Sequence, residues 1–187
     1  MGVLLILELT VCAAFGVEEF VLIKPVSTVS QSDPVSRRLE RCAMWWPAFG
    51  MFVTAATLRS FGGVRMSGLV NAAGFLVCAT GLVVRYWSRR TLGRFFTIGV
   101  VAQINHTVVR EGPYRFMRHP GYLGLTLFYV GFPLTIGNWL GLLILSVPAL
   151  LIFVLLALVE DERLTTLLGA PYRDYRSQVA RWIPGVW

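Results

Sequence analysis

Apolar residues gather into five runs separated by polar clusters. The first covers roughly residues 3–23, carries Glu8 and ends near Glu18-Glu19. The second, roughly 43–58, is short and rich in aromatic residues. The third covers 67–87 and includes Gly74, Ala79 and Gly81, small residues suited to close helix contact in a membrane. The fourth and fifth, roughly 121–136 and 139–159, are separated only by Gly137-Asn138, which predicts a tight helical hairpin. A helix needs roughly 20 apolar residues to cross the hydrocarbon core of a bilayer. The pattern therefore predicts an all-α integral membrane bundle of about five transmembrane helices. Three of them lie in residues 1–91, and the chemistry-bearing half lies in residues 92–187.

Composition supports that reading. Hydrophobic residues make up 56% of the 187 and charged residues 14%, with a mean hydropathy of +0.65. Soluble domains average roughly 45–50% apolar and roughly 25% charged. An ordinary water-soluble globule and a disordered chain are both excluded. The net charge of +7 reads as membrane anchoring rather than nucleic-acid binding. If all five runs span, fifteen of the seventeen basic residues fall on one side, and only Arg59 and Arg65 on the other. That asymmetry places the N-terminus outside and the C-terminus in the cytoplasm. Cys12, Cys42 and Cys78 sit singly in apolar stretches, which argues against a disulfide framework and against a metal site. No charged region precedes the first run, so it reads as a retained span rather than a cleaved leader.

The polar residues of the second half lie on one membrane face, in two stretches. One runs from Gln103 through His106 and Arg110 to Gly112-Pro113-Tyr114-Arg115 and Arg118-His119-Pro120-Gly121-Tyr122. Gly112-Pro113 marks a turn, and His119-Pro120 sets the start of the fourth span, because proline is tolerated in a helix's first turn. The amides of that first turn favour an anionic or acceptor-rich ligand. The second stretch, Glu160-Asp161-Glu162, follows the fifth span. Acids at a helix C-terminus oppose the dipole, a penalty that disappears if the helix continues into the cytoplasm. In either case an arginine cluster or a bound cation is needed opposite them. Gly169 reads as a helix C-cap and Pro171 as the start of a short amphipathic helix. The tyrosines of that helix lie against the bilayer or close over the site.

These motifs resemble the isoprenylcysteine carboxyl methyltransferases and their bacterial relatives. The residues involved are Leu92-Gly93-Arg94-Phe95-Phe96, Gln103-x-x-His106, Gly112-Pro113-Tyr114-Arg115 and Arg118-His119-Pro120-x-Tyr122-x-Gly124. Glu160-Asp161-x-x-Leu164, Gly169-x-x-Tyr172-x-x-Tyr175 and Arg181-x-Ile183-Pro184 complete the set. The resemblance covers about residues 92–184. It implies S-adenosylmethionine as cofactor, bound at the cytoplasmic face by Gln103, His106, Thr107, Val108, Val109, Tyr114, His119, Pro120, Gly121, Tyr122, Glu160 and Asp161. It further implies a lipophilic small-molecule or lipidated acceptor and a multi-pass protein of a prokaryotic inner membrane. Two departures stand out. Asp161 replaces the second acid of the usual Glu-Glu pair. Leu155-Leu156-Ala157-Leu158 stands where the eukaryotic members carry an arginine one turn before the acids.

The residues fit that chemistry. Methyl transfer from a sulfonium needs alignment, exclusion of water and charge compensation more than acid–base machinery. Glu160, Arg118 and His119 are the candidate catalytic residues. Glu160 suits the cofactor's ammonium or ribose hydroxyls, with Asp161 in support. Arg118 and Arg115 suit its carboxylate or an anionic substrate. A carboxylate or thiolate acceptor needs no general base, whereas an amine needs one, for which His106 and His119 are available. The competing classes are a membrane NADPH-dependent sterol or enone reductase and a non-catalytic scaffold.

Overall fold

The computed structural model describes residues 67–96 and 107–182, with single helical positions at 38, 39, 41, 42, 46 and 50. The first expected span lies outside the described residues, as do most of the second and both Gln103 and His106. The described residues are helical, with one isolated parallel bridge between Met117 and Ala180. The elements are α1 (Gly68–Leu92), α2 (Pro120–Ile136), α3 (Trp139–Leu168) and α4 (Ala170–Gln178). Short 3-10 turns occupy Gly93–Phe95 and Gly112–Arg115. The helices at Gly68–Phe95 and Trp139–Leu168 are long and apolar enough to cross a membrane, and α2 is a shorter apolar helix.

The ends of these helices follow local chemistry. Pro120 occupies the first turn of α2, with His119 as its N-cap. Gly137 closes α2 at φ 76°, a left-handed position that glycine adopts without steric cost. Asn138 then caps α3, its Oδ1 accepting from the Gly141 amide at 2.9 Å, so the two-residue hairpin forms as the sequence predicts. A π-helical turn at Leu142–Ser146 directs Leu145 fully into the core. α3 continues past Val159 to Leu168, which places the acidic run inside the helix and removes the dipole penalty. Gly169, at φ 65°, ends α3, and Pro171 lies in the first turn of α4.

α2 is the centre of the bundle. One face packs on α1 and the other on α3 through Phe128, Tyr129, Phe132, Leu145, Ala149, Phe153 and Leu156. The rings of Tyr129 and Phe153 stack at 5.8 Å, and Ser146 donates to the Tyr129 carbonyl at 2.8 Å. The outer faces present leucine and valine, including Leu69, Leu76 and Val83 on α1 and Leu143, Leu151 and Leu155 on α3. Such surfaces suit lipid rather than water.

The α1–α2 contact is backbone to backbone. Gly74, Cys78, Gly81, Arg85 and Ser88 form the buried stripe of α1. Cys78 takes the place expected for Ala79, which falls off the stripe. Glycines face one another here because no Cβ fits. At Gly124 it would lie 2.7 Å from the Gly81 carbonyl oxygen and 2.8 Å from the Arg85 nitrogen. At Gly81 it would lie 2.6 Å from the Gly124 oxygen. Backbone cannot yield as a flexible side chain does. Gly124→Ala is therefore expected to destabilise the bundle by roughly 1–3 kcal/mol. Gly68→Ala, with nothing within 4 Å of its Cβ, is expected to be neutral. Thermal unfolding of both variants in detergent checks this.

Candidate active site

The C-terminal end of α1, the start of α2, the last turns of α3, the 107–119 segment and α4 enclose one cavity. Its polar wall is Arg85, Tyr114, Arg118, His119, Glu160 and Arg163. Its apolar wall includes Leu92, Phe95, Phe96, Val108, Val109, Leu164 and Leu167. Thr107, Gly121, Tyr122, Tyr172 and Tyr175 complete it. Of the residues expected at the cofactor, Thr107, Val108, Val109, Tyr114, His119, Gly121, Tyr122 and Glu160 line this space. Pro120 and Asp161 do not: Pro120 starts α2 behind the wall, and Asp161 is fully buried.

The acidic run divides by helical geometry, since consecutive residues project roughly 100° apart. Glu162 points to the surface and accepts from Arg176 at 2.8 Å. Glu160 faces the cavity, its side chain 28% exposed and its Oε2 at 3.7 Å from Nδ1 of His119. Asp161 turns inward and gathers five donors. Its Oδ1 accepts from Tyr172 at 2.7 Å, His119 Nε2 at 2.9 Å and Arg118 Nε at 3.2 Å. Its Oδ2 accepts from Arg118 Nη2 and Arg181 Nε, both at 2.9 Å. The arginine cluster expected opposite the acids is thus present, and it acts through Asp161.

That arrangement fixes His119. A carboxylate only accepts, so Nε2 of the imidazole donates to Asp161 and Nδ1 is left on the Glu160 side. The ring stacks on Tyr122 at 5.7 Å. The chain after α4 supports the site from behind. The amides of Arg118 and His119 donate to the carbonyls of Ala180 and Arg181 at 2.9 and 3.1 Å. Arg118 Nη1 donates to the carbonyls of Arg176 and Val179. Tyr175 donates to the Tyr114 carbonyl at 2.6 Å.

The buried tyrosines close over the site instead of lying against a bilayer. Burial, then the Asp161 charge, raises the Tyr172 phenol above its ordinary value. Burial likewise raises Tyr114, with the Glu160 charge adding to the rise and Arg85 opposing it. Both therefore act as neutral hydrogen-bonding groups.

Several expectations shift. Arg118 borders the cavity, but its guanidinium is directed to Asp161 and two main-chain carbonyls. Asp161 holds protein donors and has no surface to offer a cofactor. Arg115 is exposed beside Phe116 and Arg110 pairs with Asp174 at 2.6 Å, so neither lines the cavity. Sequence reasoning missed Arg85. It lies in register with Gly74, Cys78 and Gly81, and an arginine on the small-residue face of an apolar helix is the available signal.

Comparison with known proteins agrees with this fold. The curated relatives include protein-S-isoprenylcysteine O-methyltransferase A of Arabidopsis thaliana, 29% identical over 128 residues, which are 67% of this chain and 65% of that protein. Methanethiol S-methyltransferase 1 of Bradyrhizobium diazoefficiens is 33% identical over 118 residues, 58% of this chain and 40% of that one. The chain thus spans about two thirds or less of the length of these relatives. A solved structure of the eukaryotic intramembrane Ras methyltransferase ICMT (isoprenylcysteine carboxyl methyltransferase) shares the fold. Its TM-score is 0.67 at 24% identity, covering 96% of this chain and 65% of that one. The family profile described as phospholipid methyltransferase matches residues 69–170, taking in nearly all of α1 and the motifs up to Leu164. That match covers more than half of the sequence and includes Glu160, His119 and most of the cavity wall, so the chain belongs to the phospholipid methyltransferase family.

Proposed function

We propose that the protein is an integral-membrane methyltransferase that uses S-adenosylmethionine to methylate a lipophilic acceptor at the cytoplasmic face. The observation behind this reading is the cavity itself. A part-exposed carboxylate, Glu160, faces a space walled by leucines, phenylalanines and tyrosines in a chain of this family. That donor set fits the cofactor: a carboxylate for its ammonium or ribose hydroxyls, apolar side chains for adenine, and the faces of Tyr114 and Tyr122 for a cation. When bound, the cofactor supplies an activated methyl group on a sulfonium. The protein's contribution is alignment and dehydration. Asp161 holds the His119 ring, α4 and its tyrosines cover the cavity, and the apolar outer faces of α1 and α3 meet lipid.

The acceptor in this reading is lipid-like, with carboxyl O-methylation of an isoprenylcysteine-like molecule as the reaction. Two kinds of support are the isoprenylcysteine methyltransferases among the relatives and the apolar helices around the site. The fifteen-to-two split of basic residues supports a cytoplasmic C-terminal half. Calorimetry on the detergent-purified chain tests the cofactor. Saturable binding of S-adenosylmethionine and of its demethylated product, with none of NADPH, is the expected result. Binding of NADPH alone, or of none of the three, would sink the proposal. Transfer of a labelled methyl group into a membrane lipid extract then identifies the acceptor.

A further inference from the structure

We infer that the cavity reads the zwitterionic amino-acid end of its methyl donor from two sides, Glu160 taking the ammonium and Arg85 the carboxylate. This rests on the S-adenosylmethionine reading above and assigns a role to Arg85 that neither the motifs nor the family match supplies.

The argument starts from where Arg85 sits. It is only 7% exposed, on the face of α1 that otherwise carries glycine, cysteine and serine. An arginine in such a place is costly and calls for a function. Two features of the packing bring its guanidinium to the cavity. A Cβ at Gly121 would lie 2.9 Å from its Nη1, so glycine there makes room for the side chain. The guanidinium also lies 4.8 Å above the ring of Phe96, another residue of the cavity wall. It stands beside the first turn of α2, whose dipole favours negative charge. Glu160 projects from α3 into the same cavity. The Tyr114 phenol feels the two charges in opposite senses, after the larger effect of its own burial. A cation from α1 and an anion from α3, both lining one cavity, match a ligand end that carries both charges.

The other arginines of the wall fit less well. Arg118 is directed to Asp161 and two carbonyls. Arg163 follows Glu160 by three positions on the same helix, so it enters the cavity from the same wall as that carboxylate rather than from across it.

The test compares S-adenosylmethionine with its decarboxylated analogue, which keeps the sulfonium and the ammonium. Calorimetry uses the full chain in detergent. The unsubstituted protein is expected to bind S-adenosylmethionine about tenfold or more tighter than the analogue, as a charge-assisted contact implies. Arg85→Gln is expected to remove that preference while leaving analogue affinity within about twofold. Arg85→Lys keeps the charge but not the fork, and is expected to lose the preference in part. It also serves if Arg85→Gln does not fold. An unchanged ratio in either variant, equal loss of both ligands, or no preference in the unsubstituted protein overturns the assignment. So does a ratio that collapses in Arg163→Gln instead. If the unsubstituted chain binds neither ligand, the methyltransferase reading itself fails, which is a separate result.

Discussion

Replacing Asp161 by alanine is expected to cost the folded state on the order of 3–5 kcal/mol, the range for breaking a buried ion pair from one side. The carboxylate has no exposed surface and receives donors from Tyr172, His119, Arg118 and Arg181. Removing it leaves two guanidinium groups buried without their counter-ion. The damage spreads because the donors come from separate pieces of chain: the entry to α2, α4 and the segment after α4. Asp161→Asn keeps one acceptor oxygen and is expected to fall between alanine and the unsubstituted protein. Tyr172→Phe removes a single neutral donor and is expected to cost about 1 kcal/mol. Thermal unfolding in detergent, followed by the monodisperse fraction on gel filtration, ranks the three. If alanine proves no worse than phenylalanine at 172, the carboxylate is not the centre of the cluster.

This cluster also marks the limit of what the chain reveals when read as a string. Helix positions are legible wherever one local cause dominates. Pro120 starts α2, Gly137-Asn138 turns the hairpin and Gly169 ends α3, because ring closure, left-handed backbone and side-chain capping act over one to four residues. The residues around the cavity are legible as a group for a related reason: the Arg118 to Tyr122 motif sits at a helix start that its own proline creates, and Glu160 directly follows the apolar run of α3. What escapes is the direction of each side chain. Glu160, Asp161 and Glu162 are equivalent as letters, and only the packing of α4 and the tail decides which faces the cavity, which is buried and which meets Arg176. Arg118 and Arg115 look interchangeable, yet one is bound into the interior and the other lies on the surface. Arg85 is hidden because it lies inside an apolar run, outside every motif, and its approach depends on an α1–α2 contact made by glycines on both helices.

Glu160→Gln separates ligand binding from folding, because Glu160 has the opposite character to Asp161. Its side chain is 28% exposed and its closest ionic neighbour is His119 Nδ1 at 3.7 Å, too long for a hydrogen bond. The unliganded variant is therefore expected to unfold at the same temperature as the unsubstituted protein. Affinity is expected to fall, because a hydrogen bond to a charged group contributes roughly 1.5–3 kcal/mol. That corresponds to about 10–150-fold in dissociation constant. The stabilisation that S-adenosylmethionine confers on melting should shrink in proportion, since a ligand raises stability only as far as it binds the native state. The pattern across ligands is the decisive part. Loss of the ammonium partner weakens S-adenosylmethionine and its decarboxylated analogue alike, whereas loss of the carboxylate partner at Arg85 weakens only the first. Two variants and two ligands thus give a crossed result that general damage to the cavity cannot imitate. Unchanged affinity for both ligands in Glu160→Gln would remove Glu160 from the binding site.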